Sequence, residues 1–81
     1  MPRFYFEIGT ERGAIPDYDG IELVSLDQVQ LEADQSAREL LAGAIISGEK
    51  PPIDVTVYDD DRQFVTQVLL RDLMPWKRDA F

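Results

Sequence analysis

One stretch of this sequence, Ser25 to Gly48, carries the start and stop signals of a single long helix, and the segments on both sides of it alternate as strands do. Ser25-Leu26-Asp27-Gln28 is a capping box: the serine hydroxyl accepts from the third amide of the helix while the Gln28 side chain reaches back. Val24 and Val29 occupy the staple positions, and Asp27 complements the positive end of the helix dipole. Behind the cap, Leu26, Val29, Ala33, Ala37, Leu40, Leu41, Ala44 and Ile45 recur at spacings of three and four, which makes one apolar stripe. Gln28, Glu32, Asp34, Gln35, Arg38 and Glu39 fall mainly on the wet side, where Asp34 and Arg38 are spaced to pair. Gly48 is a natural stop, and Pro51-Pro52 forbid continuation. The alanines keep the stripe shallow, so the helix can approach a sheet closely.

A helix with one apolar stripe must bury it, and the flanking segments offer the surface to do so. Arg3 to Ile8 sets Phe4, Phe6 and Ile8 against Arg3, Tyr5 and Glu7, the period-2 pattern of a half-buried strand. Gly9 ends it. Residues 10–20 are rich in Gly, Pro and Asp, which is loop chemistry, and within them Ala14 and Ile15 either continue a strand or pack down as a lid. Ile21-Glu22-Leu23 reads as a short second strand and Ile53 to Tyr58 as a third. Asp59 to Arg62 supplies a polar turn into a fourth strand, Gln63 to Arg71. The expected fold class is α+β: a two-layer ββαββ arrangement with one helix packed on a four-stranded, mainly antiparallel sheet of spatial order 2-1-3-4. One domain over residues 1–81, with 72–81 as a C-terminal extension, accommodates all of it.

One face of that sheet would carry Phe4, Phe6, Ile8, Ile21, Leu23, Ile53, Val55, Val57, Phe64, Val68 and Leu70 against the helix. The other face has no helix left to cover it. It would carry Tyr5, Tyr58, Val65 and Leu69 among Arg3, Glu7, Asp54, Thr56, Gln67 and Arg71. Aromatic and aliphatic groups set among charges are the composition of an interaction surface; the plainer reading is a solvated face with ordinary exposed apolars. Trp76, next to Pro75, is either a plug over one end of the core or an exposed anchor for a partner.

Composition narrows the functions. With 81 residues the chain suits one domain, and a domain of that size hides only about 60% of its unfolded surface. Its net stability on the usual per-residue scale is about 4–12 kcal/mol. There is no cysteine, which excludes a disulfide framework, thiol catalysis and thiolate metal sites and fits a reducing cytoplasm. There is no histidine, which excludes Ser-His and Cys-His pairs and His metal clusters. The 16 acidic and 8 basic side chains leave a net charge of −8, which opposes contact with phosphate backbones. Nucleic acid is therefore not an expected partner, unless Arg3, Arg71, Lys77 and Arg78 gather on one face or bases stack on Tyr5 and Tyr58. No apolar run approaches the ~20 residues of a membrane span, and the N-terminus lacks a secretory signal. A cytoplasmic protein without a membrane partner is expected.

Carboxylates are the remaining chemistry. Asp59-Asp60-Asp61 has the oxygen ligands for a hard cation but lacks the glycine and distal glutamate of a calcium loop; a solvated hairpin turn is the better reading. Asp17-Tyr18-Asp19-Gly20 has no matching ligand train and reads as a turn before the second strand. Glu32, Asp34 and Glu39 lie on an exposed helix face with no pocket implied. Gly9-Thr10-Glu11-Arg12-Gly13 lacks the lysine and helix start of a phosphate loop. No enzyme, cofactor or metal site is expected.

Taken in order, Met1-Pro2-Arg3-Phe4-Tyr5-Phe6, Asp17-Tyr18-Asp19-Gly20-Ile21-Glu22-Leu23, Glu32-Ala33, Ala37-Arg38-Glu39-Leu40-Leu41, and Ile53-Asp54-Val55 through Asp59 to Asp61 form a specific series. In this the chain resembles the small bacterial, rhizobial-type domains of unknown function, which open Met-Pro-Arg followed by aromatics. They carry Asp-x-x-Gly-x-Glu-Leu before an Ala-rich helix and end with a strand pair around an acidic turn. The likeness spans nearly the whole chain. It differs at Arg62, where the family often has Gly, and in the loop after the first strand. The resemblance implies no activity, cofactor or catalytic residue. The expected function is a small non-catalytic protein-interaction module, as a homodimer or with another protein. The alternative is an antitoxin-like regulatory partner of a basic protein, matched by charge.

Overall fold

The computed structural model describes residues 1–74. Its sheet is built from β1 (Arg3–Thr10), β2 (Gly13–Ile15), β3 (Ile21–Glu22), β4 (Asp54–Tyr58) and β5 (Phe64–Leu69), with α1 (Leu26–Ser47) between β3 and β4. A 3-10 turn, Leu70–Leu73, closes the described chain. The order across the sheet is β2-β1-β4-β5, with β3 also paired to β1, and every pairing is antiparallel. The α+β class and the single helix on a mainly antiparallel sheet agree with the sequence reading. The strand count does not: there are five strands, because residues 10–20 fold back on β1 as Gly13–Ile15 before β3 begins. Trp76 and the rest of the C-terminal extension beyond Met74 lie outside the described residues.

The helix caps form as the residues dictate. The Ser25 hydroxyl accepts from the Gln28 amide at 3.2 Å, and the Gln28 carboxamide oxygen accepts from the Val24 amide at 3.1 Å. Gly48 takes the left-handed conformation at φ 72°, and the next amide, of Glu49, donates to the Ala44 carbonyl. Asp34 takes its hydrogen bond from the Gln30 carboxamide, at 3.1 Å. The helix lies across β4 and β5. Val29, Ala33, Ala37 and Leu41 meet Phe4, Val55, Val57, Val68 and Leu70 in the core, and no buried side-chain polar atom among the described residues lacks a partner. Leu26 and Ile45, assigned to the apolar stripe by spacing, are 67% and 58% exposed. Length explains this: 22 helical residues run about 33 Å, whereas a strand of five or six residues spans about 17–20 Å, so both ends of the helix overhang the sheet.

The second departure is a register shift in β5. Val57 pairs with Thr66, but Tyr58 pairs with Phe64, so the ladder skips Val65. Strict alternation put Phe64 under the helix and Val65 on the open face; the bulge exchanges them. Val65 packs against the core, and Phe64 stands 62% exposed beside Tyr58. Thr66 stays on the helix side, where its hydroxyl donates to the Gln30 carboxamide oxygen at 2.9 Å.

The loop between β2 and β3 is fastened to β1 by one side chain. β3 pairs with Arg3 and Phe4, and β2 with Ile8 to Thr10, which leaves the Phe6 amide in the gap. The Asp17 carboxylate fills it, accepting from Phe6 N at 3.0 Å, Gly20 N at 3.1 Å and Asp19 N at 3.2 Å. Gly20 sits at φ 68°, and a Cβ there would lie 2.9 Å from the Phe4 carbonyl oxygen and the Tyr5 ring. Asp17 and Gly20 are thus required by the backbone geometry of this segment.

Candidate interaction surface

The face of the sheet turned away from α1 is defined by the odd positions of β1 and their partners. Tyr5 stands directly across from Tyr58, Glu7 from Thr56, and Thr56 in turn from Gln67. Leu69 lies opposite Asp54, at the far end of the same face, and is half-buried. Of the residues expected to form an interaction surface, Tyr5 and Tyr58 are brought together, Leu69 lies on the same face away from them, Val65 is taken into the core, and Trp76 falls outside the described residues.

Arg62 organises the centre of this face. It lies in the β4–β5 turn, and its guanidinium carbon lies 5.2 Å from the Tyr58 ring centre and 5.9 Å from that of Tyr5. Its Nη2 donates to Glu7 Oε2 at 2.7 Å. The Tyr5 hydroxyl donates to Asp60 Oδ1 at 3.1 Å. Desolvation and that carboxylate raise the Tyr5 pKa above its ordinary 10.0, so the phenol stays a neutral donor at pH 7. At the other end Gln67 Nε2 donates to Asp54 Oδ2 at 2.8 Å, and the Thr56 hydroxyl to Asp54 Oδ1 at 3.3 Å. The acidic turn holds itself in shape: Asp59 Oδ1 accepts from the Asp61 and Gln63 amides, both at 2.9 Å. Arg62 closes that turn at φ 60°, the only non-glycine residue with positive φ among those described.

Sequence reasoning missed Arg62 and Phe64 as members of the face. Nothing in the local residue pattern marks Arg62 as left-handed; its place on the face rests on its contacts with Glu7, Tyr5 and Tyr58. No residue pattern announces the bulge that turns Phe64 outward. The left-handed conformation costs a non-glycine residue about 1–2 kcal/mol, and the stack and ion pair return about 0.5–1 kcal/mol each at exposed sites. Arg62→Gly is therefore expected to be near neutral in urea unfolding. Arg62→Ala keeps the strain and loses the contacts, and should cost about 1–2 kcal/mol.

A concavity lies at the other end of the sheet, where β1 ends and β4 begins. A groove of about 800 Å³ runs between the β1–β2 turn and the α1–β4 connection, lined by Ile15, Pro51, Pro52 and Ile53 and crossed by a 2.8 Å ion pair between Lys50 and Glu11. Among the described residues no cluster of acidic side chains could hold a metal ion. No helix there is long and apolar enough to cross a membrane.

These features define a class of small α+β domain in which one helix covers one side of an antiparallel sheet and, among the described residues, leaves the other open. The chain belongs to the family described as a domain of unknown function, DUF6894, whose model matches residues 3–71. No curated protein and no solved structure matches the chain.

Proposed function

We propose that this chain is a non-catalytic, cytoplasmic protein-interaction module that presents the open face of its sheet to a protein partner. The reading is carried by the Arg62 guanidinium stacked on Tyr5 and Tyr58 with exposed Phe64 alongside. Tyr, Arg and Phe are the side chains that dominate binding energy at interfaces. Here the clamp from Glu7 and the turn from Asp59 order them beforehand, which reduces the entropy lost on docking. A regulatory role against a basic protein is the second reading, favoured by the net charge of −8.

Arg62→Gly separates binding from folding, because it dismantles the stack at little cost in stability. The tagged chain and this variant would be used to capture partners from the native host, with mass spectrometry as readout. A protein retained by the wild type and lost with Arg62→Gly supports the reading. Equal retention by both, or none by either, removes it. A basic captured protein whose retention falls with added salt points to the regulatory role.

A further inference from the structure

The two edges of the sheet are protected to very different degrees. On one side the strands are three and two residues long, and the Asp17 carboxylate occupies the gap between them. On the other side β5 presents six residues, Phe64-Val65-Thr66-Gln67-Val68-Leu69, with no charge and no proline, in a chain where 30% of residues are charged. Charged side chains and prolines are the ordinary means of keeping an edge from pairing. The bulge at Val65 lies beside the turn and leaves Thr66 to Leu69 in regular register with β4. The Leu70 amide donates to the Ile53 carbonyl. Alternation along an antiparallel strand then turns the main-chain groups of Leu69 and Gln67 away from β4, and no described strand receives them.

Resting on the interaction-module reading, we infer that this edge takes a second copy of the same chain, β5 pairing antiparallel with β5 across a two-fold axis at Gln67. Charge selects both the partner and the register. Two copies carrying −8 each repel one another, and β5 adds no acid of its own to that repulsion. Pairing centred on Gln67 sets the main chain of Leu69 against that of Val65 in the other copy. It also carries exposed Arg71 toward the other copy's Asp59–Asp61 turn, so opposite charges meet at both ends. Closed two-fold pairing of this kind is self-complementary and ends with the dimer.

The test is light scattering coupled to size exclusion on the full chain from micromolar to millimolar concentration. The wild type is expected to approach twice the 9.2 kDa of one chain. Gln67→Pro deletes the outward amide at a position where an edge strand tolerates proline and should elute as a monomer with an unchanged circular-dichroism spectrum. Gln67→Lys places like charges together at the axis and should do the same; it decides the matter if the proline variant does not fold. A wild type that stays monomeric overturns the inference, as does a dimer that folded Gln67→Pro or Gln67→Lys leaves intact. Capture of a partner through Arg62 is unaffected by either result, so the two readings fail separately.

Discussion

Leu70→Ala should remove a large share of the stability of the fold. Leu70 is 1% exposed and is the largest of the fully buried side chains, closing the end of the core as β5 turns into the 3-10 segment. Removing a buried Leu side chain costs about 2–5 kcal/mol, the spread reflecting how far the cavity collapses. The whole stability of a chain this size is about 4–12 kcal/mol. At the ~1 kcal/mol per molar slope of a small domain in urea, the midpoint falls by roughly 2–5 M. Leu69→Ala is the control. It removes the same atoms one residue away, from a half-buried position on the opposite face, and should cost at most about 1 kcal/mol. Near-equal urea midpoints for the two variants would contradict the assignment of faces at the end of β5.

Asp17 is the second large effect, and it carries a pH dependence. Partial burial pushes its carboxyl upward. The amide hydrogen bonds from Phe6, Gly20 and Asp19 together outweigh that and hold it below its ordinary 3.8. A carboxylate depressed in the folded state contributes stability that is fully present above its unfolded pKa, and the contribution is lost as pH falls through the folded value. Asp17 therefore stabilises the fold fully above about pH 4, and that contribution declines as pH falls from there through its lower folded value. Asp17→Ala leaves the Phe6 amide without its acceptor in the gap between β2 and β3 and should cost about 1.5–3 kcal/mol at pH 7, the range for hydrogen bonds to a charged group. Asp17→Asn keeps one acceptor oxygen and removes the titration. The stability difference between wild type and Asp17→Asn should shrink as pH drops from 6 to 3. A difference that stays constant across that range would mean that the carboxylate charge plays no part in the clasp.

The behaviour of these positions shows where a reading of residues succeeds. The helix from Ser25 to Gly48 was legible because its determinants are local: the cap hydroxyl, Gln28, the spacing of alanines and the terminal glycine act within a few residues of one another. β1 and β4 were legible for the same reason, their alternation matching the buried and half-buried pattern of Phe4, Val55 and Val57. Tyr5 and Tyr58 were correctly set on one face, since alternation fixes a face wherever no residue is inserted.

What the residues alone determined is thus the helix with its boundaries, four of the strands and the α+β class, because each depends on interactions between near neighbours in the chain. The tertiary structure decided the rest. It placed a fifth strand in the 10–20 loop, exchanged Phe64 for Val65 through a bulge, exposed the overhanging ends of the stripe, and brought Arg62 over two tyrosines. The fifth strand forms by a tight turn onto β1, whereas the exchange at the bulge and the place of Arg62 involve segments far apart in sequence: Thr66 with Gln30, and Arg62 with Glu7 55 residues away. Such contacts form only when the sheet has assembled, so no local pattern encodes them.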